Sequence, residues 1–211
     1  MRFNEEWYSQ AGQDQWVSEW FENKRGGYFL DIGAHDGWGD SNTYYLEKEL
    51  DWTGICFEPG IEEYMKCKSL RKKSKVLPIA AWSSETTLKF GTYEGLSRQV
   101  TDKIDRIGFP VKAMPLSMAF KKYNVPNVID YISLDVENSE IEALKGFPFK
   151  THIGILWTIE HNLYRNNGWL KTGINEIMLA NDYVIYKENV ACKDSNWKPF
   201  EDWFVHKNYL K

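Results

Sequence analysis

Read only for apolar and polar positions, the chain alternates short apolar runs with amphipathic stretches. Tyr28-Phe-Leu-Asp31-Ile is a run of strand length that ends in a glycine-rich polar turn, and residues through Leu50 follow with helical spacing behind an Asp40 or Ser41 cap. The same reading predicts strands over 54–58, 75–80, 153–161, 183–188 and 202–206, and helices over 61–73, 116–123, 139–145 and 173–181. Val128 to Glu137 is the strongest apolar run, and it belongs at the centre of a sheet because only strands buried on both faces read as nearly continuous. Strand and helix in regular alternation predict an α/β fold, a mostly parallel sheet with helices on both faces.

Two segments break the rhythm. Residues 1–25 read as a helical lead-in (helix over 5–25) with an irregular stripe of Trp7, Ala11, Val17, Trp20 and Phe21. Its polar Ser9-Gln-Ala-Gly-Gln13-Asp14 start has the makings of a cap followed by a first-turn acid. Residues 83–114 read as an insertion beside the pocket, with short strands at 87–90 and 111–114 around a polar excursion. Neither is large enough to be a domain, so residues 1–211 are expected to form one.

Composition narrows the partners. The net charge of −4 argues against a nucleic-acid surface. The basic run Lys66 to Lys75 is read as the solvated face and C-terminal end of a helix. Cys56, Cys67 and Cys192 have no metal-site spacing, suit a reducing compartment such as the cytoplasm, and include no evident nucleophile, Cys56 being a core residue. No apolar run is long enough to span a bilayer. The polar, aromatic start is equally compatible with a domain of a larger polypeptide.

The turn after the first strand carries the chemistry. Asp31-Ile-Gly33-Ala34-His35-Asp36-Gly37 puts an acid where a dinucleotide fingerprint has its first glycine. A carboxylate there repels a diphosphate and suits an ammonium, so the ligand implied is S-adenosylmethionine rather than a nicotinamide dinucleotide. Glu58 ends the second strand, where folds of this kind hold ribose hydroxyls. Ala34 and Gly37 of the turn, Pro59 after Glu58, and Ala81 with Trp82 beyond the third strand complete the candidate cofactor wall.

Ligands in open α/β sheets bind beyond the carboxyl ends of the strands, so residues ending successive strands converge. Here they are Asp31, Glu58, Asp135 with Glu137, and Glu160 with His161 and Asn162. For transfer of a methyl group to a hydroxyl, two devices are open. Asp135 or His161 acts as general base, or Asp135, Glu160 and His161 hold a cation that acidifies the hydroxyl. Carboxylate-rich ligation with one imidazole suits Mg2+ or Mn2+ better than Zn2+. Glu137 is read either as part of this group or as a first-turn helix acid. His35 faces cofactor or solvent, and His152 and His206 look incidental.

Taken in order, Ser9-Gln-Ala-Gly-Gln13-Asp14, Leu-Asp31-Ile-Gly-Ala-His-Asp-Gly37 with Ser41-Asn-Thr43, Glu58-Pro59, Leu-Asp135-Val-Glu137 and Ile-Glu160-His161 resemble the FkbM methyltransferases over residues 8–162. The resemblance implies a Rossmann-like class I methyltransferase fold with a seven-stranded sheet, and S-adenosylmethionine-dependent O-methylation of sugar hydroxyls on glycans or glycosylated products. It also implies cofactor contact from Asp31, Gly33 and Glu58, with Gln13 and Asn42 nearby, and places Asp135, Glu137 and His161 towards the acceptor. Such domains occur fused to glycosyltransferases, which fits a part of a glycan-processing chain. One departure is Asn138, where the family has glycine; asparagine tolerates the left-handed backbone better than most residues.

Ten tryptophans bear on the acceptor. Trp38, Trp157, Trp169, Trp197 and Trp203 follow or lie in segments near the rim, and flat rings suit the C–H faces of sugars, deoxysugars such as rhamnose above all. Most should be core; Trp38 and Trp169 are the expected acceptor walls. The competing functions are methylation of a phenol, protein side chain or RNA, and a module that binds cofactor or glycan without turnover.

Overall fold

The computed structural model describes residues 7–93, 96–99 and 108–211. The parallel core comprises β1 (Tyr28–Ile32), β2 (Thr53–Phe57), β3 (Lys75–Leu77), β8 (Val128–Leu134) and β9 (Ile153–Glu160), joined by β10 (Tyr183–Val190) and β11 (Glu201–His206). Their order is β10-β11-β9-β8-β1-β2-β3, and β11 pairs antiparallel with both its neighbours. This is the mostly parallel sheet that the alternation predicts, with the seven strands that the resemblance implies and β8 in the centre.

Successive residues of a strand point to opposite faces, and here each face has its own helices. Phe29, Cys56, Tyr131 and Leu156 pack with residues of α1 (Gln13–Trp20), α2 (Tyr44–Leu50) and α3 (Ile61–Leu70). Leu30, Ile32, Phe57 and Ile132 pack with those of α4 (Leu116–Tyr123), α5 (Glu140–Lys145) and α7 (Trp169–Ala180). Trp157 and Trp203 are buried in these two cores rather than placed at the rim, Trp203 stacked on Trp16 at 4.6 Å.

Several boundaries differ from the sequence reading for local reasons. The predicted third strand is split: Pro78, which has no N–H to give a ladder, separates β3 from β4 (Ala80–Ala81), and β4 joins a second sheet. That sheet has the order β4-β7-β5-β6, with β5 (Thr86–Tyr93), β6 (Leu96–Gln99) and β7 (Phe109–Met114) falling within residues 83–114. Residues 94–95 and 100–107 of it lie outside the described residues. Among its described residues the lead-in is helical only over α1, where the Asp14 carboxylate accepts from the N–H groups of Tyr8 (2.7 Å), Ser9 (3.2 Å) and Gln15 (2.9 Å). Ser41 Oγ accepts from Tyr44 N–H at 3.1 Å, so it caps α2 from outside the helix. A short helix, α6 (Leu163–Asn166), precedes α7 and lacks the length to show in an apolar pattern.

Candidate active site

The strand order turns back between β1 and β8, and there a cavity of about 320 Å3 opens beyond their carboxyl ends. Gly33 makes it possible. Its φ is +96°, and an added Cβ would lie 1.7 Å from the backbone oxygen of Asp135, so no other residue lets the two strand ends pass this closely. The Gly33 and Ala34 N–H groups donate to Phe57 O at 2.9 and 3.1 Å, and Asp135 N–H donates to Ile32 O at 2.9 Å, tying three strand ends together.

One side of the cavity is built on β1 and β2. Asp31 is buried and accepts from Thr43 Oγ1 at 2.5 Å. Arg71, only 2% exposed, lies at the end of α3 and spans the space behind the glycine turn. Its guanidinium donates to Glu47 Oε2 (2.9 Å), Thr43 Oγ1 (2.7 Å), Gly37 O (3.3 Å) and Ser41 Oγ (3.3 Å), and NH1 lies 3.8 Å from Asp31 Oδ2. Burial raises the Asp31 carboxyl above its ordinary range, and the Arg71 charge opposes that rise. Glu58 accepts from the backbone N–H groups of His35 (2.8 Å) and Gly60 (2.7 Å), yet burial still pushes it up to about 8. Asn42 donates to Ser133 Oγ at 2.9 Å, while its Oδ1 is enclosed without a partner. Asp31, Gly33, Ala34, Asn42, Glu58, Pro59, Ala81 and Trp82 all line the cavity.

Two members of the expected cofactor set do not. Gln13 is spent elsewhere, donating to Glu201 Oε1 at 3.0 Å and accepting from Ala11 N–H at 2.9 Å; Gln10 reaches the cavity instead. Gly37, at φ +79°, backs onto Cys67 and Arg71 and shapes the turn from behind. Arg71 itself escaped the sequence reading, which put it on a solvated face with its lysine neighbours. Those lysines are exposed and Arg71 is not.

The opposite side is built on β8 and β9. Asp135, Glu137 and Glu160 line it, with Asn162, Tyr164 and Arg165 from α6 and the residue before it. Glu137 and Asn138 are both left-handed, at φ 53° and 73°, a conformation that asparagine tolerates better than most residues. The Asp135 and Glu160 carboxyls interact closely, and burial together with the Asp135 charge lifts Glu160 well above its ordinary value. Glu140, at the first position of α5, completes a trio with them, one oxygen from each lying within 4.8 Å of the others.

His161 is not part of that trio. Its Nε2 lies 3.2 Å from Asp202 Oδ1 on β11, and its Nδ1 accepts from Leu163 N–H at 3.2 Å. Asp202 in turn lies 3.3 Å from Lys171 Nζ. The imidazole therefore anchors the β9–α6 connection, and Glu140 stands where the sequence reading put histidine. Trp38 and Trp169 are exposed, at 41% and 56%, and do not line the cavity. Cys56, Cys67 and Cys192 are free and buried.

Residues 31–185 match the methyltransferase FkbM domain. The chain belongs to the FkbM methyltransferase family. Among solved structures, a methyltransferase FkbM from Methylobacillus flagellatus KT is 15% identical with a TM-score of 0.58, over 87% of this chain and 44% of that one. This chain thus spans less than half the length of that protein. An O-methyltransferase from Bacillus cereus in complex with SAH is 10% identical with a TM-score of 0.55, over 97% and 84%. Aeropyrum pernix fibrillarin with natively bound S-adenosyl-L-methionine is 8% identical with a TM-score of 0.54, over 87% and 68%. Identities this low show the shared Rossmann-like methyltransferase fold alone. No curated protein sequence matches the chain. Among the described residues, no helix is long and apolar enough to cross a membrane.

Proposed function

We propose that this FkbM-family chain transfers the methyl group of S-adenosylmethionine to a hydroxyl of a carbohydrate, on a glycan or glycoconjugate. The observation that carries the reading is the pair of buried carboxylates, Asp31 and Glu58, on one wall of a cavity whose other wall holds Asp135 and Glu160. The residues fit the cofactor. Gly33 lets the ends of β1 and β8 meet at the cavity floor, Asn42 Oδ1 is an enclosed acceptor awaiting a donor, and Glu58 can accept from two ribose hydroxyls. Asp31 stands at the amino-acid end, and Ala81 and Trp82 offer apolar surface to the base.

S-adenosylmethionine supplies a methyl group already activated by a sulfonium, so the protein's task is to position the acceptor and take its proton. Positioning at attack distance is worth about 7–11 kcal/mol. When bound, the cofactor would offer its methyl carbon to the acceptor oxygen, and the electron pair of the carbon–sulfur bond would leave with sulfur. Asp135, which has Glu160 beside it to share the proton, receives the hydroxyl hydrogen; a placed base of this kind gives about 10²–10⁴-fold. His161 holds the connection that carries Asn162, Tyr164 and Arg165 to the acceptor side.

A neutral polyol suits this wall better than RNA, because Glu137, Glu160 and Asp194 would face a polyanion with Arg165 as counter-charge. The test is calorimetry with S-adenosylmethionine and S-adenosylhomocysteine, followed by mass spectrometry of a panel of sugars (6-deoxyhexoses included), phenols, peptides and RNA. Binding weakened at least tenfold by Asp31→Asn, with methylation confined to saccharides, is the expected result. Absence of binding to the wild type would end the cofactor reading. Methylation of another class would end the carbohydrate one, and binding without turnover would leave a non-catalytic module.

A further inference from the structure

Around the cavity one group of side chains is short of partners. Asp135 follows β8, Glu160 ends β9 and Glu140 begins α5, and one oxygen from each lies within 4.8 Å of the other two. Three carboxylates brought this close repel one another unless something positive neutralises them. Glu140 is wholly buried: Oε1 accepts from Val136 N–H at 2.9 Å, and Oε2 has no hydrogen-bond partner. Glu160 Oε2 is enclosed and without a partner as well. Buried carboxylate oxygens without a donor are costly; Glu58 is served by backbone N–H groups, and Glu47, also buried, by Arg71 at 2.9 Å. Among the described residues the trio has no cation in contact. His35 and Arg165, which line the same cavity, are exposed and bear on Asp135 through space.

We propose that Asp135, Glu140 and Glu160 form a binding site for one divalent cation of the hard, oxygen-preferring class, such as Mg2+ or Mn2+. Three oxygen donors with neither nitrogen nor sulfur exclude a zinc-type set, and with His161 turned to Asp202 no imidazole is available to change that. Asp135 and Glu160 face the cavity while Glu140 closes the site from behind, which leaves open positions directed at the acceptor. Such a cation keeps several exchangeable ligands; an acceptor hydroxyl among them would be acidified there, and the cation would replace the proton that Asp135 and Glu160 otherwise share. The cation site stands on its own geometry; its use in catalysis rests on the methyl-transfer reading.

The test uses Mn2+ alone, without cofactor or acceptor. Electron paramagnetic resonance and calorimetry should show one saturable Mn2+ per chain, displaced by Mg2+. Glu140→Gln should weaken it at least tenfold while the thermal midpoint is retained or raised, and Glu160→Gln serves in the same way should the first variant not fold. Two outcomes overturn the site: no saturable Mn2+ at millimolar concentration, or equal affinity in wild type and either folded variant. S-adenosylhomocysteine binding measured on the same samples separates the two readings. Cofactor binding without Mn2+ binding removes the cation site alone, and the converse removes the methyl-transfer reading alone.

Discussion

The two walls of the cavity handle buried carboxylates in different ways. On the β1–β2 wall Asp31 has a hydroxyl and a nearby guanidinium, and Glu58 has two backbone N–H groups. On the β8–β9 wall Asp135, Glu140 and Glu160 face one another, and two of their oxygens have no donor. The difference matches what the proposed function asks of each wall. A cofactor of fixed shape is served by groups that are already oriented, and Arg71 orients them by holding Gly37, Ser41, Thr43 and Glu47 at once. An acceptor that must give up a proton is served by groups whose charge can still change. One wall is preorganised by permanent partners, and the other keeps its capacity for a proton or a cation.

Removing Arg71 is the strongest way to break this contrast. Arg71→Met takes away the charge and the fork while keeping much of the volume, and it leaves Glu47 and Asp31 buried without their cation. Loss of one partner of a buried pair costs about 3–5 kcal/mol. Urea unfolding should show a destabilisation of that order, and cofactor binding should fall with it. Arg71→Lys should recover only part, because an ammonium cannot serve Glu47, Thr43 and Gly37 together. A variant as stable as the wild type would show that the turn is held by its glycines alone.

Glu58 tests the same wall more gently, through pH. Its folded value of about 8 lies above the ordinary 4.5 because burial outweighs the two N–H donors. Between those values the folded chain holds a proton that the unfolded chain has released. Its contribution to stability is therefore present below about pH 4.5 and is lost as pH rises through 8. Ribose hydroxyls donate to the ionised form, so affinity for S-adenosylhomocysteine should increase with pH up to about 8 and then level off. Glu58→Gln should weaken binding about tenfold, or 1.4 kcal/mol, and flatten both pH profiles. Calorimetry and thermal melts from pH 6 to about 9 decide it.

How far the two walls could be read beforehand follows from how each is made. The β1 turn was legible because a strand, an acid and a glycine at fixed spacing leave few alternatives, and the convergence of Asp31, Glu58, Asp135 and Glu160 follows from parallel topology. His161 was misplaced although the sequence held the means to place it. Neighbouring strand residues face opposite ways, so a Glu160 that lines the cavity sends the next side chain towards β11 and Asp202. Glu140 looked like any first-turn acid, since nothing local reveals that α5 carries it beneath Asp135. Arg71 was hidden among lysines, and the one signal was its being an arginine, the cation suited to burial. Trp157 and Trp203 are core, as was expected of most of the rings, whereas nothing in the sequence showed that Trp38 and Trp169 would lie off the cavity.

The exposed rings give the smallest and most specific test of the comparison. Trp169 starts α7, directly after the α6 segment whose Tyr164 and Arg165 line the acceptor side, and it is 56% exposed. Removing an exposed ring with few buried contacts changes stability within about ±0.5 kcal/mol. Trp169→Ala should therefore leave the melting profile and S-adenosylhomocysteine affinity unchanged. If the ring serves the acceptor, KM for a saccharide should rise several-fold with little change in kcat, because a platform that binds ground and transition states alike alters KM alone. The same substitution at Trp38, on the cofactor turn, gives the paired measurement. A rise confined to Trp169 would assign acceptor recognition to the β9–α7 side, and a rise confined to Trp38 would move it across the cavity to the wall that Arg71 holds.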